Sequence, residues 1–145
     1  MIDRFTGRYR FLSNFYPCVV TLDDYPYPSV EHAYQAAKFA PADREPFRDI
    51  ELRAGVAKRM GRGKGVAGWY DRSLLVMEDL LHQKFREPKL RALLLATGNA
   101  ELIEGNNWHD VFFGFCYCPR CNRGDNFLGQ LLMSVRERVK KGQDL

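Results

Sequence analysis

The sequence predicts a single α+β domain spanning residues 1–145, mostly helical with a small sheet. Three observations predict it. Aromatic, β-branched and turn-forming residues crowd the first thirty positions. From Ser29 onward, apolar residues recur at helical spacing between capping and breaking residues. And 145 residues, 46% hydrophobic and 28% charged, can bury a core without disulfide or metal staples. No repeat, low-complexity tract or linker divides the chain.

The elements follow in order. Phe5 to Phe11 and Cys18 to Leu22 read as short strands, with Asp23-Asp24 as a turn signal. Pro26 and Pro28 then punctuate, and Ser29 is a good N-cap for a helix ending before Pro41. A second helix is expected from Asp43 to Met60, stopping at the glycines that follow. A third covers Tyr70 to Phe85, where Leu74, Leu75, Met77, Leu80, Leu81 and Phe85 keep close to helical spacing. Pro88 opens a fourth through Ala96, closed by Gly98. Val111 to Tyr117 is apolar and aromatic, a buried strand or extended segment. The last helix runs from Asn126 to Lys141.

Composition narrows the setting. No apolar run approaches the ~18 residues needed to span a bilayer, so no membrane is expected. The N-terminus has no apolar leader segment. Three of the four cysteines are crowded into Cys116, Cys118 and Cys121, unlike the framework of a secreted mini-protein, so a reducing cytoplasm is the expected compartment. Net charge is +4, and Leu52 to Tyr70 holds five basic residues (Arg53, Lys58, Arg59, Arg62, Lys64) without a carboxylate. Such a stretch suits phosphates, and it equally suits a solvated helix end running into a loop.

The helix after Ser29 carries the clearest chemistry. At about 100° per residue, Glu31, Gln35 and Lys38 share a narrow arc with Tyr34 beside them, while Val30, Ala33, Ala37 and Ala40 share another face. A carboxylate and an amine two turns apart can point into one cleft, the first moving protons and the second acting as nucleophile or electrostatic partner. Spacing alone favours an ordinary exposed polar stripe with a weak ion pair. His32 and His109 are acid/base candidates, though a lone histidine is commonly packed or capped. Gly63 to Gly68 formally matches a dinucleotide-binding glycine pattern, but no strand precedes it, leaving a cationic loop in which Lys64 could approach a phosphate. Cys118 and Cys121 have zinc-knuckle spacing, Cys116 offers a third thiolate, and a fourth ligand would be His109 or distant Cys18. That is half of a zinc signature, and plain buried or surface thiols are the expectation. Asp110, entering an apolar segment from a loop, suits either a cleft wall or a turn cap.

Taken together, these segments resemble the NADAR (YbiA-like) family. The matching words are Phe11 to Pro17, Ser29 to Phe39 and Arg59-Met60-Gly61-Arg62, then Trp69, Met77 and Lys84-Phe85. Leu93 to Gly98, Leu102-Ile103-Glu104, Gly124 to Met133 and Arg136 follow. They cover nearly the whole chain in consistent order. The resemblance implies an N-glycosidase acting between ribose and a base, with two associated substrate classes. One is ADP-ribose attached to guanine in nucleic acid, which makes a toxin that transfers ADP-ribose a functional partner. The other is a phosphorylated ribosylamino-pyrimidine intermediate of riboflavin synthesis.

Carried over residue by residue, the resemblance makes Glu31 the catalytic carboxylate and Lys38 the amine that forms a Schiff base with the opened sugar. Asp110 matches a further family carboxylate. Asn14, Phe15, Tyr34, Gln35, Arg59, Arg62, Lys64, Trp69, Phe113 and Asn126 are expected to bind substrate. No cofactor and no metal is needed for that chemistry. The chain departs from the YbiA-type pattern at Val66, where that pattern has arginine, and at Phe113, where it has tryptophan. Its glycine-rich loop is shorter, and the stretch from Cys116 to Cys121 replaces a glycine-rich one. These departures fall where phosphate and base are expected, and they turn the expectation towards ADP-ribosylated guanine. A non-catalytic ADP-ribose or nucleotide-binding module is the rival, one that has no reason to keep both Glu31 and Lys38 on one helical face.

Overall fold

Asp23 and Asp24 both adopt left-handed backbone, with φ of 50° and 69°, and turn the chain between β1 (Pro17–Leu22) and β2 (Tyr25–Ser29). Aspartate tolerates this region better than most residues, which makes the pair a hairpin turn. The hairpin opens the middle of the chain in a computed structural model that describes residues 1–145. Packing divides the chain into two units: Asn14–Lys84, here the middle unit, and Met1–Ser13 together with Phe85–Leu145, the terminal unit. The secondary structure is α+β, helix-dominated, with two sheets of two strands each. No helix is long and apolar enough to cross a membrane.

In the middle unit, β1 and β2 pair antiparallel, with Val20 opposite Tyr27 and both buried. Pro26 and Pro28 lie inside β2 rather than ending the strand segment. A two-stranded ribbon has only edge strands, where a missing N–H is tolerated. Ser29 then caps α1 (Val30–Ala37), its Oγ accepting from the His32 N–H at 3.2 Å. The helix stops because Ala40, preceding Pro41, is extended at ψ 148°. The continuous helix expected from Asp43 to Met60 is broken. Two short 3-10 turns, Pro41–Asp43 and Glu45–Arg48, come first, and α2 covers only Ala54–Gly61. Pro46 has no N–H to give a helix, and Asp49 leaves helical backbone at ψ 120°, where its Oδ1 accepts from Glu51 N–H at 2.8 Å. The expected third helix is present as α3 (Trp69–Arg86), which belongs to the middle unit as far as Lys84.

In the terminal unit, the expected first strand is a 3-10 helix, Gly7–Leu12. Gly7 takes φ 57° and Tyr9 N–H bonds to Thr6 O at 3.0 Å, a turn that an extended strand could not make. The next helix, α4 (Pro88–Ala96), has the predicted limits. The Glu87 carboxylate caps it by accepting from Leu90 N–H at 2.8 Å, and Gly98 follows its end at φ 63°. The segment Val111 to Tyr117 supplies a strand of two residues only. This is β4 (Phe115–Cys116), parallel to β3 (Gly105–Asn106). The chain closes with α5 (Phe127–Lys140).

Backbones approach one another very closely here. A Cβ on Gly105 would lie 1.9 Å from Asp3 O, one on Gly124 would lie 2.1 Å from Gly114 O, and one on Gly129 would lie 2.0 Å from Leu102 O.

Removing the Ser29 hydroxyl takes away both the α1 cap and a partner of the His32 ring. Ser29→Ala is expected to lower the unfolding free energy by about 1–2 kcal/mol, measured by urea denaturation. A loss of only a few tenths would contradict this account of how α1 begins.

Candidate functional site on the first helix

Every residue of α1 is buried, the polar ones included. The strands of the hairpin, the Glu45–Arg48 turn and α2 all pack against it. The arc of Glu31 and Gln35 is therefore no exposed stripe: the two side chains are 6% and 4% exposed. Shut away from water, the Glu31 carboxylate accepts a hydrogen bond from Gln35 Nε2 at 2.8 Å, one turn along the helix. Glu31 N–H donates to Asn14 O at 3.0 Å, which fixes Asn14 beside the start of the helix. Asn14 is itself buried and gives its side-chain N–H to the Met77 sulfur at 3.6 Å.

Two side-chain oxygens of these neighbours, Asn14 Oδ1 and Gln35 Oε1, are buried without a hydrogen-bond partner. Buried polar atoms are paired in the great majority of cases, and exceptions concentrate at functional sites.

Lys38 is the C-cap of α1, half-buried, and its ammonium donates to Gly61 O at 3.2 Å and lies 5.5 Å from the centre of the Tyr34 ring. Burial lowers its pKa below the ordinary 10.5; the Glu31 charge opposes that effect and the Lys58 charge adds to it. The end of α2 reaches this place because Gly61 has no side chain. A Cβ there would sit 1.8 Å from Gln35 Oε1. The roles of Gly61 and Lys58 were not foreseen from the sequence. Their signal is spatial, and Gly61 looked like a mere helix stop.

The basic segment runs out of this corner. Arg59, Arg62 and Lys64 are exposed. The loop that carries the last two is tied to α1, since Val66 N–H donates to Lys38 O at 2.9 Å. Gly63 and Gly68 bound the loop in left-handed backbone, at φ 71° and 78°. Half-buried Trp69 follows, its ring 5.2 Å from that of Tyr34. Phe15 is exposed, 5.9 Å from the Lys58 ammonium. The middle unit thus brings together the predicted Asn14, Glu31, Tyr34, Gln35, Lys38 and Trp69.

His32 is a structural residue. Its Nε2 lies 2.6 Å from Leu52 O, which can only accept, so Nε2 carries the proton and Nδ1 accepts from Ser29 Oγ at 2.6 Å.

Asp110, Phe113 and Asn126 lie in the terminal unit. The Asp110 Oδ1 accepts from the N–H groups of Phe112 and Phe113, at 3.2 and 3.0 Å, the turn-cap arrangement. The Phe113 ring stacks edge-on against Phe112 at 4.8 Å. The Asn126 side chain bridges two backbone groups, accepting from Glu104 N–H and donating to Leu102 O, both at 2.9 Å. In the same unit, His109 joins Cys116, Cys118 and Cys121.

Comparison with known proteins adds the following. Residues 3–140 match the NADAR domain. The N-glycosidase YbiA of Escherichia coli K12 is 36% identical over 136 residues, covering 90% of this chain and 82% of that protein. An N-glycosidase of Nostoc punctiforme is 32% identical, covering 91% of this chain and 86% of that protein. A riboflavin biosynthesis protein of Vibrio vulnificus is 37% identical over 138 residues. The chain spans only 36% of that protein's length, and 23% of a maize chloroplastic riboflavin biosynthesis protein. The solution structure of E. coli YbiA superposes with a TM-score of 0.78 at 35% identity, covering 98% of this chain and 88% of that one.

The close approach at Gly61 yields a test. Gly61→Ala forces the Gln35 amide off Glu31 and is expected to destabilise the fold by about 1–3 kcal/mol. In a Gln35→Ala background most of that loss should vanish, as a double-mutant cycle of thermal unfolding would read. Additive losses would mean that Gly61 answers to something other than Gln35.

Proposed function

The chain belongs to the NADAR family, and from that premise we propose that it is an N-glycosidase hydrolysing the bond between a ribose and a base. The observation that carries this reading is the buried Glu31 carboxylate, held by Gln35 on the same helix as a lysine whose pKa burial lowers. Relatives named N-glycosidase match it along most of their own length. A pure binding module would need neither a proton carrier nor a nucleophile at these positions.

The reaction runs in two halves. Neutral Lys38 Nζ attacks C1′, the C1′–base bond breaks, and the Glu31 carboxylate relays a proton from the attacking nitrogen to the departing base. The ribosyl-lysine then opens its ring: O4′ takes a proton and C1′=Nζ forms as a protonated imine. In the second half, water adds to C1′ while the Glu31 carboxylate accepts its proton. The carbinolamine collapses, the lysine leaves as an amine, and the ribose closes again. Reagents and products balance as glycoside plus water giving free sugar and free base.

Within this class we assign ADP-ribosylated guanine in nucleic acid as the substrate. The exposed Arg59, Arg62 and Lys64, next to a loop tied to the Lys38 peptide, suit a diphosphate. Val66 stands where the YbiA-type pattern has arginine, a cation that a small phosphorylated pyrimidine would use. The second reading, a phosphorylated ribosylamino-pyrimidine of riboflavin synthesis, is favoured by the names of the Vibrio and maize relatives.

A single-stranded oligonucleotide carrying ADP-ribosylated guanine decides between the readings. Incubated with catalytic amounts of protein, it should release ADP-ribose and the restored strand by mass spectrometry. Turnover of the ribosylamino-pyrimidine alone would transfer the assignment to the second reading. Survival of both substrates would leave a binding module. Lys38→Ala should abolish turnover, and borohydride added during turnover should leave a sugar adduct on Lys38 of the wild type. Glu31→Gln should slow the reaction about 10²–10⁴-fold while ligand still binds.

The pH dependence of turnover has a worked sign. The neutral amine is the reactive form, so rate rises with pH through the Lys38 pKa, on a limb lying below the ordinary 10.5. Glu31 raises that pKa and Lys58 lowers it. The limb should therefore move to lower pH in Glu31→Gln and to higher pH in Lys58→Gln. Shifts in the same direction would contradict the electrostatics of the site.

A further inference from the structure

The glycosidase reading leaves one group of reactive side chains unused. In the terminal unit, His109, Cys116, Cys118 and Cys121 each turn one ligand atom to a common point, and these four atoms lie within 4.8 Å of one another. The His109 Nδ1 is 3.3 Å from Cys121 Sγ, 3.5 Å from Cys118 Sγ and 4.0 Å from Cys116 Sγ. A tetrahedral zinc with Zn–S near 2.3 Å and Zn–N near 2.1 Å requires N···S edges of about 3.6 Å and S···S edges of about 3.8 Å. The observed N···S edges scatter around that value.

The backbone is shaped for the same purpose. Cys116 and Arg123 exchange two hydrogen bonds, of 2.9 and 3.2 Å, as a short antiparallel bridge. Between them the N–H groups of Cys121 and Asn122 both fold onto Cys118 O, at 3.1 and 3.0 Å, with Asn122 in left-handed backbone at φ 44°. This tight knuckle sets Cys118 and Cys121 side by side. The fourth ligand comes from outside it: His109, at φ 71°, holds a backbone region that few non-glycine residues adopt. Spacing had left that position open between His109 and Cys18; the residue that joins the three thiols is His109.

We propose that these four residues form a structural zinc site of the Cys3His type. Four protein ligands close the tetrahedron, and Cys116 is fully buried, so no position is left for water or substrate. Zinc binding displaces the protons of three thiols, and three thiolates on a dication leave one net negative charge. Arg120 and Arg123, within and beside the knuckle, offset it. The ion joins His109 to the knuckle and so clamps the loop in which Asp110 caps Phe112 and Phe113. This role is independent of the hydrolytic reading.

The test is metal analysis of the chain, produced in zinc-supplied medium and purified under reductant without chelator. Mass spectrometry of the metals should find about one zinc per chain. Less than about a tenth of an equivalent, one equivalent of iron instead, or a disulfide among these sulfurs would overturn the proposal. Cys118→Ser and Cys121→Ser should each lower zinc content about tenfold, and Cys18→Ser should retain it; zinc lost equally from Cys18→Ser would overturn the assignment. Should the ligand variants fail to fold, cobalt exchanged into the wild type answers the same question. Tetrahedral thiolate coordination produces a sulfur-to-cobalt charge-transfer band together with intense visible bands, and their absence would overturn the site.

Discussion

A carboxylate removed from water must find a donor or give up its charge, and the middle unit is organised around one that does the former. The Glu31 side chain accepts from Gln35, while its backbone N–H is taken by Asn14 O. An apolar pair of the same volume would serve stability at least as well, because a buried polar pair rarely repays its desolvation in full. Asn14 Oδ1 and Gln35 Oε1 remain without partners, and each such atom costs about 1–3 kcal/mol. Against a total stability of about 5–15 kcal/mol for an ordinary domain, that is a substantial concession. It is intelligible if donors arrive with the ligand.

Positive charge surrounds that carboxylate at different depths. Lys38 is half-buried and burial lowers its pKa, whereas Arg59, Arg62 and Lys64 stand in solvent. The bond from Val66 N–H to Lys38 O gives the loop and the helix end a common anchor.

Much of this was legible in the chain. Helix limits set by local chemistry were read closely: Ser29, Pro88 and Gly98 act through their own backbone and nearest neighbours. So was the arc of Glu31, Gln35 and Lys38, which needs only the helical repeat. Errors came where a single residue overrules a pattern. Pro46 and Asp49 break a long helical stretch, and Gly7 turns an aromatic run that reads as strand. The burial of α1 was not legible, because it depends on a hairpin, a 3-10 turn and a second helix arriving from other parts of the sequence. The same holds for His109, whose partner thiols lie beyond an apolar segment and are reached through an unusual φ.

The glycines of the terminal unit have a consequence for how this protein can diverge. At Gly105, Gly124 and Gly129 the obstacle to any side chain is a carbonyl oxygen of another segment about 2 Å away. A crowded side chain can rotate aside, but a backbone carbonyl can yield only by moving its whole segment. Alanine, the most conservative replacement elsewhere, is therefore as poorly tolerated there as a bulky residue. Evolutionary drift at these positions has no small first step. At these positions even a first substitution must displace a backbone segment, which the exposed loops do not require.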